Sequence, residues 1–416
     1  MGDVGRIQDV KKNTIAMSTS TSTTTPSSSS TPPSVKYPRP SWFKVWAHAA
    51  RPHTLTASIA PVIVGHAITV STLLLPTEHH ASFSTLHLPS ITLAWAAFAC
   101  LIQLGTNLHN DYADFVKGAD DEHRVGQPRA TQKGWLTPSQ TAYASAFCVS
   151  LALAIGYPLC IVPSTTSTVS ESNIDGLFLF IILSSAFNAV AYTGGPYPLG
   201  YIGLEHVSIG YSGLGDLFVL LYFGFVATIG LPYLVVMHAG LMGVEEEHDV
   251  LSSSTTVSLF FGNGGEEGIL FLSFLASIPV GFLATAIIVV NNLRDRTTDV
   301  KAGKRTMAVR FGERFARCEY GLLVLFSYAS LLMACFTYFT EDVYQMSRYW
   351  ILLPIISFPI AMPQLRAVAF GGKDGAALND HVGGTAKVQF LFCILLSIGL
   401  RKVYSGAITA TTTTNI

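Results

Sequence analysis

Two short segments, far apart in the chain, carry the same dense arrangement of amide and carboxylate side chains. The first, NLHNDYADFVKGAD, contains Asn107, Asn110, Asp111, Asp114 and Asp120. The second, NNLRDRTTD, contains Asn291, Asn292, Arg294, Asp295 and Asp299. Each segment sits at the end of a long apolar run, where carboxylates are costly unless something compensates their charge. Two such clusters in one chain predict that they share a metal ion.

Helical periodicity would place the polar side chains of each segment on one face. At 100° per residue, Asn107, Asp111 and Asp114 project within about 60° of one another. The second cluster repeats at every fourth residue, namely at Asn291, Asp295 and Asp299. Two such faces packed together would enclose an oxygen-lined cavity at a membrane boundary. Hard oxygen ligands suit Mg²⁺, which also bridges to phosphate oxygens, so the pattern predicts a diphosphate substrate.

Basic residues accompany both clusters, as expected for a phosphate site. They are Arg129, Lys133, Arg294, Lys304 and Arg305. Arginine and lysine are the usual partners of phosphate oxygens, although juxtamembrane cations also pair with acids for purely structural reasons. A large apolar interior beside such a site indicates a substrate that is itself part lipid. The chemistry that fits is departure of diphosphate from an allylic prenyl chain, with the carbocation-like remainder shielded from water.

The elements that must position these side chains are membrane-spanning helices. The chain has 416 residues, of which 50% are hydrophobic and 12% charged, about half the charged fraction of roughly 25% in soluble domains. Runs of about 20 apolar residues predict an all-α, polytopic membrane protein with about nine transmembrane helices around a central cavity. The predicted spans are 54–75, 90–110, 140–162, 174–193, 215–240, 269–292, 317–339, 349–366 and 386–404.

The distribution of lysine and arginine predicts the topology. Most of them precede the first span or lie in the second and sixth loops, whereas the odd-numbered loops are nearly free of them. By the positive-inside rule, the N-terminus and both Asp-rich segments face the cytoplasm or an equivalent compartment. No targeting pattern in the sequence names the organelle.

Three segments are expected along the chain. Residues 1–40, rich in Ser and Thr, predict a disordered tail, because they cannot bury enough apolar surface. Residues 41–405 form the transmembrane domain, residues 406–416 a short tail, and the insert at 243–267 a surface loop. The net charge of −1 predicts no nucleic-acid partner. The six cysteines have no CxxC spacing and are interpreted as packing residues.

These residues resemble the signatures of the UbiA superfamily of intramembrane aromatic prenyltransferases. The pattern NxxxDxxD appears as Asn107, Asp111 and Asp114, and DxxxD appears as Asp295 and Asp299. The likeness is greater to the branch that prenylates 1,4-dihydroxy-2-naphthoate in menaquinone and phylloquinone (vitamin K) synthesis. Four segments carry it: RPHTL, NDYADFVKGAD with the following QKG, NNLRDRTTDVKAGKRTMAVRFG, and LND with GTAK.

The resemblance implies a set of functional residues. Catalytic residues that also coordinate Mg²⁺ would be Asp111, Asp114, Asp295 and Asp299. Residues that meet or support the diphosphate would be Asn107, Asn110, Arg51, Arg129, Lys133, Asn292, Arg294 and Lys304. The expected partners are a prenyl diphosphate, a naphthoate acceptor and membrane lipid. A polyprenyl or phytyl chain would replace the carboxylate of the acceptor, so that decarboxylation accompanies transfer.

Some features depart from the family pattern and leave alternatives open. The YxxxK signature of some members is absent, and Arg129 with Lys133 occupies comparable spacing. An insert near 204–214, with Glu205 and His206, interrupts a GYIGLGD-like element that ends at Asp216. Asp216 could cap a helix or contact the acceptor or the metal. Other acceptors, such as menadiol, homogentisate or 4-hydroxybenzoate, are alternatives, as is a transporter whose acids form an ion pathway.

Overall fold

The computed structural model describes residues 39–73, 88–120, 124–163, 172–204, 206–238, 268–340 and 342–414. Two predicted segments and one residue lie outside these ranges: the tail up to residue 38, the insert at 243–267, and Glu205. The described residues are mostly helical. The strands among them form one two-stranded antiparallel sheet of β1 (Ile161–Pro163) and β2 (Ser172–Ile174).

The helices are named in chain order, and each name covers the adjoining π-helical or 3₁₀ turns. They are α1 (Trp42–Ala50), α2 (Pro52–Leu73), α3 (Leu88–Val116), α4 (Pro138–Leu159), α5 (Gly176–Ala191), α6 (Ile209–Ser212), α7 (Gly215–His238), α8 (Ile269–Lys301), α9 (Met307–Tyr338), α10 (Arg348–Phe370) and α11 (Asn379–Thr414). Short 3₁₀ turns connect some of them, including Leu199–Ile202 and Gly375–Leu378.

The predicted polytopic all-α architecture is confirmed. Eight of the described helices are long and apolar enough to cross a membrane. The predicted fourth span corresponds to α5, which is apolar but has only 16 residues. Each of the nine predicted runs therefore matches one helix. Helix α11 continues to Thr414, through most of the residues predicted as a short C-terminal tail.

Both Asp-rich segments belong largely to helices rather than to loops, with Asp120 past the end of α3. Helix α3 continues to Val116, six residues past the predicted end at 110, and α8 continues to Lys301, past the predicted end at 292. The carboxylates in these last turns form ion pairs with lysine and arginine side chains, so their charge does not force the helix to end. The polar faces predicted from helical periodicity are therefore present.

Two clusters of buried apolar side chains hold the bundle together. One cluster joins α2, α8, α9, α10 and α11 and includes Val64, Leu283 and Tyr320. The other joins α2, α3, α4, α5 and α7 around the buried ring of Trp95. Burial of a large side chain of this kind stabilises the fold by about 1.5–3 kcal/mol.

Two glycines let α7 and α8 approach each other closely. A Cβ atom on Gly224 would lie 2.6 Å from the Cα atom of Gly281. That distance is far inside van der Waals contact, so neither position accepts a side chain without displacing a helix. The close approach packs α7 against the middle of α8, before the second Asp-rich segment.

Candidate active site

A cavity of about 290 Å³ lies between α2, α3, α5, α7, α8 and α11. Its polar end is formed by the last turns of α3 and α8 together with Arg51 and Lys304. Its apolar end is lined by side chains such as Ala57, Ile102 and Ile287. The cavity thus joins a charged compartment to a hydrophobic one.

The first Asp-rich segment has side chains that line the cavity and one, Asp111, that is buried outside it. Asn107, Asn110 and Asp114 line the cavity, as predicted. Asp111 does not line it; its Oδ2 atom accepts a hydrogen bond of 3.4 Å from the backbone N–H of Thr131. Its Oδ1 atom is buried and has no hydrogen-bond partner among the described residues. An unpaired buried carboxylate oxygen is costly, which is consistent with a site that a cation completes.

Asp114 is the most heavily engaged carboxylate of the site. It is fully buried and accepts hydrogen bonds from the Tyr211 hydroxyl at 2.9 Å and from Lys304 Nζ at 3.1 Å. Arg129 Nη2 lies 3.5 Å away. Three segments from different parts of the chain therefore converge on this one side chain.

Lys304 connects the two Asp-rich segments. Its Nζ atom lies 3.1 Å from Asp114 on α3 and 3.9 Å from Asp299 on α8. Burial lowers the pKa of Lys304, but the two carboxylates outweigh that effect, so its pKa is raised. The lysine is therefore charged and acts as an electrostatic link between the ends of α3 and α8.

The second Asp-rich segment lines the cavity with all five of its predicted side chains: Asn291, Asn292, Arg294, Asp295 and Asp299. Arg294 forms a bidentate pair with Asp295, at 2.8 Å from Nε and 2.6 Å from Nη2. It also donates to Asn291 and Asn379. The carboxylate and the two amides therefore fix the guanidinium of Arg294, which in turn fixes the orientation of Asp295.

Asparagine side chains of α3 form hydrogen bonds with the turn between α1 and α2. Asn107 donates to the Ala50 carbonyl at 2.9 Å and to Thr54 Oγ1 at 2.8 Å. Arg51, in the left-handed conformation with φ of 51°, donates to the Asn107 carbonyl and to Asn110 Oδ1. Burial lowers the pKa of Arg51, but nearby carboxylates oppose this effect. These contacts fix the guanidinium of Arg51 at the polar end.

Several functional candidates were not predicted from the sequence. Arg124 lines the cavity and forms an ion pair with Asp120, which also lies 3.4 Å from Arg129 Nε. Burial raises the pKa of Asp120 to about 6. Tyr211 lines the cavity, and the Nζ atoms of Lys117 and Lys304 lie 4.3 and 4.9 Å from the centroid of its ring. Arg124 belongs to the basic second loop and could have been recognised, whereas nothing in the sequence signals Tyr211.

The predicted role of Lys133 receives no support from its position. Lys133 is half-buried beyond the first cluster but does not line the cavity, whereas Arg129 does. The Lys133 N–H bonds back to the Arg129 carbonyl in the turn that joins the two residues, but only the Arg129 side chain lines the cavity. The basic contribution of this loop therefore comes from Arg124 and Arg129.

The carboxylates fit a divalent cation by donor type. Asp114, Asp295 and Asp299 present oxygen atoms to one cavity, and Asp111 has a buried oxygen without a partner. In the part of the chain that the structure describes, no three His, Cys, Asp or Glu side chains are grouped as a metal site. Lysine and arginine side chains compensate most of these carboxylates instead. Mg²⁺ coordination thus stays a prediction that the donor chemistry supports.

Several known proteins are similar to this chain over most of its length. The chain is 29% identical to the 1,4-dihydroxy-2-naphthoate octaprenyltransferase of Escherichia coli (strain K12), over 86% of this chain and 95% of that protein. It is 28% identical to the protein of the same name from Haemophilus influenzae, over 86% and 96%. It is 23% identical to the human UbiA prenyltransferase domain-containing protein 1, over 91% and 90%.

The match to a protein family covers most of the chain. A sequence model of the UbiA prenyltransferase family matches residues 67–369, which include both Asp-rich segments and the helices α3, α5, α7 and α8 of the cavity. The resemblance predicted from the motifs is confirmed, and the protein is an integral membrane prenyltransferase. This chain, in which two Asp-rich helix ends meet beside an apolar cavity, belongs to the UbiA prenyltransferase family.

Proposed function

We propose that this protein transfers a prenyl chain from prenyl diphosphate to 1,4-dihydroxy-2-naphthoate, with loss of the acceptor carboxylate as CO₂, in menaquinone or phylloquinone biosynthesis. The observation that carries the proposal is the two-part cavity, in which cations and carboxylates meet an apolar compartment. The names of the bacterial relatives support the choice of acceptor. Family membership speaks against the transporter alternative.

The polar end would hold the diphosphate of the donor. Arg51, Arg129 and Lys304 line the cavity. Arg129 and Lys304 both contact Asp114, and the diphosphate oxygens would take over these contacts. Asp111, Asp114, Asp295 and Asp299 would hold Mg²⁺, which supplies charge neutralisation for the leaving diphosphate. Lys304 and the arginines stabilise the same developing charge directly.

The apolar end would hold the prenyl chain and the ring of the acceptor. The allylic C–O bond breaks and its electron pair leaves with the diphosphate. The ring carbon that bears the carboxylate then forms the new C–C bond, assisted by loss of a phenolic proton. CO₂ leaves, its bonding electrons restore the aromatic ring, and a proton returns to the oxygen. The apolar wall excludes water from the electrophile until the acceptor attacks.

The proposal is tested by a transfer assay on purified protein in detergent. Labelled geranylgeranyl or longer prenyl diphosphate is supplied with 1,4-dihydroxy-2-naphthoate, with Mg²⁺ present or chelated. We expect Mg²⁺-dependent prenylated naphthoquinone and stoichiometric CO₂. Product from menadiol, homogentisate or 4-hydroxybenzoate alone would overturn the acceptor assignment. The absence of diphosphate release with every donor and acceptor would overturn the proposed transfer itself.

An inactive variant separates true transfer from spontaneous loss of diphosphate. Asp114→Asn keeps the shape of the side chain but removes the charge that Lys304 and Arg129 contact. Product should fall to background in this variant. A matched control is Asp342→Asn, in the turn between α9 and α10 and outside the cavity; its rate should equal that of the unmodified protein.

A further inference from the structure

One buried pair of polar side chains at the site contains no cation. The Asn292 Nδ2 atom donates a hydrogen bond of 3.0 Å to Asp216 Oδ1. Both residues are less than a tenth exposed, and Asn292 lines the cavity. Within the described ranges, Asp216 forms no ion pair with a lysine, an arginine or a histidine. This distinguishes it from Asp114 and Asp295, which have cationic partners.

The pair fixes the orientation of the Asn292 amide. An ionised carboxylate only accepts hydrogen bonds, so the NH₂ group of Asn292 must face Asp216. The amide oxygen therefore points away from Asp216, and it has no hydrogen-bond partner among the residues that the structure describes. Since Asn292 lines the cavity, this oxygen is the polar atom that it offers to a ligand.

An amide oxygen is the wrong partner for a diphosphate. Phosphate oxygens are acceptors at neutral pH and repel another acceptor, so a diphosphate would need the second N–H of the NH₂ group, which is on the nitrogen that faces Asp216. The donors suited to phosphate are the side chains of Arg51, Arg129 and Lys304. Among the groups of the two substrates, the one that fits the Asn292 oxygen is a hydrogen-bond donor, such as a phenolic hydroxyl.

The wall beside Asn292 suits an aromatic ring. Helix α7 begins next to Asp216 and presents Phe218 and Tyr222 to the same cavity. Their rings are nearly parallel, with centroids 6.1 Å apart and an interplanar angle of 9°. Helix α7 is held against α8 by the contact of Gly224 with Gly281. A flat ligand beside this wall gains aromatic contacts in addition to burial of its apolar surface.

We infer that Asn292 binds a ring hydroxyl of the aromatic acceptor through its side-chain oxygen, and that Asp216 is the positioning residue that holds the amide in that orientation. The inference rests on the proposed function and names the acceptor-binding part of its site. It replaces the diphosphate contact expected of Asn292 from the family resemblance.

The first test separates the acceptor from the donor kinetically. Asn292→Leu removes the amide but keeps a side chain of similar size, so the KM for 1,4-dihydroxy-2-naphthoate should rise about tenfold, the factor that corresponds to about 1.4 kcal/mol. The KM for prenyl diphosphate and the Mg²⁺ dependence should stay within about twofold, given the donor contacts elsewhere. Asn173→Leu, at an exposed position of β2, is the control and should change neither constant.

The second test exchanges the two side chains. Asp216→Asn alone lets the two amides pair in the opposite sense, so the NH₂ group of Asn292 can face the cavity and the acceptor KM should rise. In the double variant Asp216→Asn with Asn292→Asp, the new amide donates to the new carboxylate, and an oxygen faces the cavity again. The acceptor KM of the double variant should return to within about threefold of the original value.

The outcomes separate the inference from the proposed function. If the unmodified protein prenylates no aromatic acceptor, the proposed function fails. If it does so, but Asn292→Leu raises the KM for prenyl diphosphate or the requirement for Mg²⁺, Asn292 belongs to the diphosphate or the metal and the inference is overturned. Failure of the double variant to recover, when the purified protein elutes as a monodisperse peak, overturns the role of Asp216.

Discussion

Replacement of Lys304 by methionine tests the electrostatic link between the two Asp-rich helices. The change removes the charge and keeps most of the apolar stem. With an effective dielectric constant of about 20, the attraction of Nζ to Asp114 at 3.1 Å is about 5 kcal/mol and that to Asp299 at 3.9 Å about 4 kcal/mol, before desolvation is subtracted. Most of this attraction is offset by the cost of burying the ammonium group.

The net loss is set by what remains around Asp114. Removal of one partner of a buried ion pair usually costs about 3–5 kcal/mol. Asp114 keeps Arg129 at 3.5 Å and the Tyr211 hydroxyl, so we expect a loss at or slightly below the low end, about 2–3 kcal/mol of unfolding free energy. Turnover should fall by about 100-fold or more, because the cation is lost from the leaving-group site as well.

The assay combines denaturant unfolding in detergent with prenyl transfer. Lys301→Met is the matched control, because Lys301 is exposed at the end of α8 and the change in charge is the same. Lys304→Arg should recover part of both losses, since it restores the charge. An unfolding free energy of Lys304→Met equal to that of the control, with normal turnover, would refute the view that Lys304 joins the two helices.

Three further perturbations follow from the structure. Tyr211→Phe keeps the ring but removes the hydrogen bond to Asp114, so kcat should fall about 3- to 15-fold, with normal expression and melting temperature as the check on folding. Gly224→Ala forces a methyl group against Gly281 and should cost about 1–3 kcal/mol in the same unfolding assay. Burial raises the pKa of Asp120 to about 6, so its folded state holds a proton that the unfolded chain releases nearer pH 4. The stability of the protein relative to Asp120→Asn should therefore decline as pH rises from about 4 to 6 and stay level above that; a constant difference between their melting temperatures across this range would contradict the effect of burial.

The sequence predicts the helices and the facing polar surfaces well, because both depend on local periodicity. Runs of apolar residues show which segments enter the membrane, and the spacing of Asp295 and Asp299 shows that they share a helix face. The helix ends are less predictable. Carboxylates usually indicate that a membrane helix is ending, but in α3 and α8 they are paired with lysine and arginine side chains and the helix continues.

Contacts between residues that are far apart in the sequence account for what the sequence did not predict. Lys133 and Arg129 lie in the same loop, and only the fold shows which of them reaches the cavity. Tyr211 is brought to Asp114 from nearly one hundred positions away along the chain. The orientation of Asn292 depends on Asp216, which precedes it by 76 residues. Such pairings depend on how distant helices pack, and a single sequence contains no local pattern that reports it.

The lengths of α3 and α8 have a consequence for how the donor would reach the site. With 29 and 33 residues, these helices extend about 44 and 50 Å, compared with about 30 Å for the hydrocarbon core of a bilayer. Asp114 and Asp299 lie in their final turns and can therefore stand at the depth of lipid headgroups, while the apolar end of the cavity extends toward the depth of the acyl chains. A prenyl diphosphate has the same amphiphilic layout as a phospholipid. It could move from the bilayer into the cavity by lateral diffusion, keeping its charged group hydrated and its chain in an apolar medium throughout.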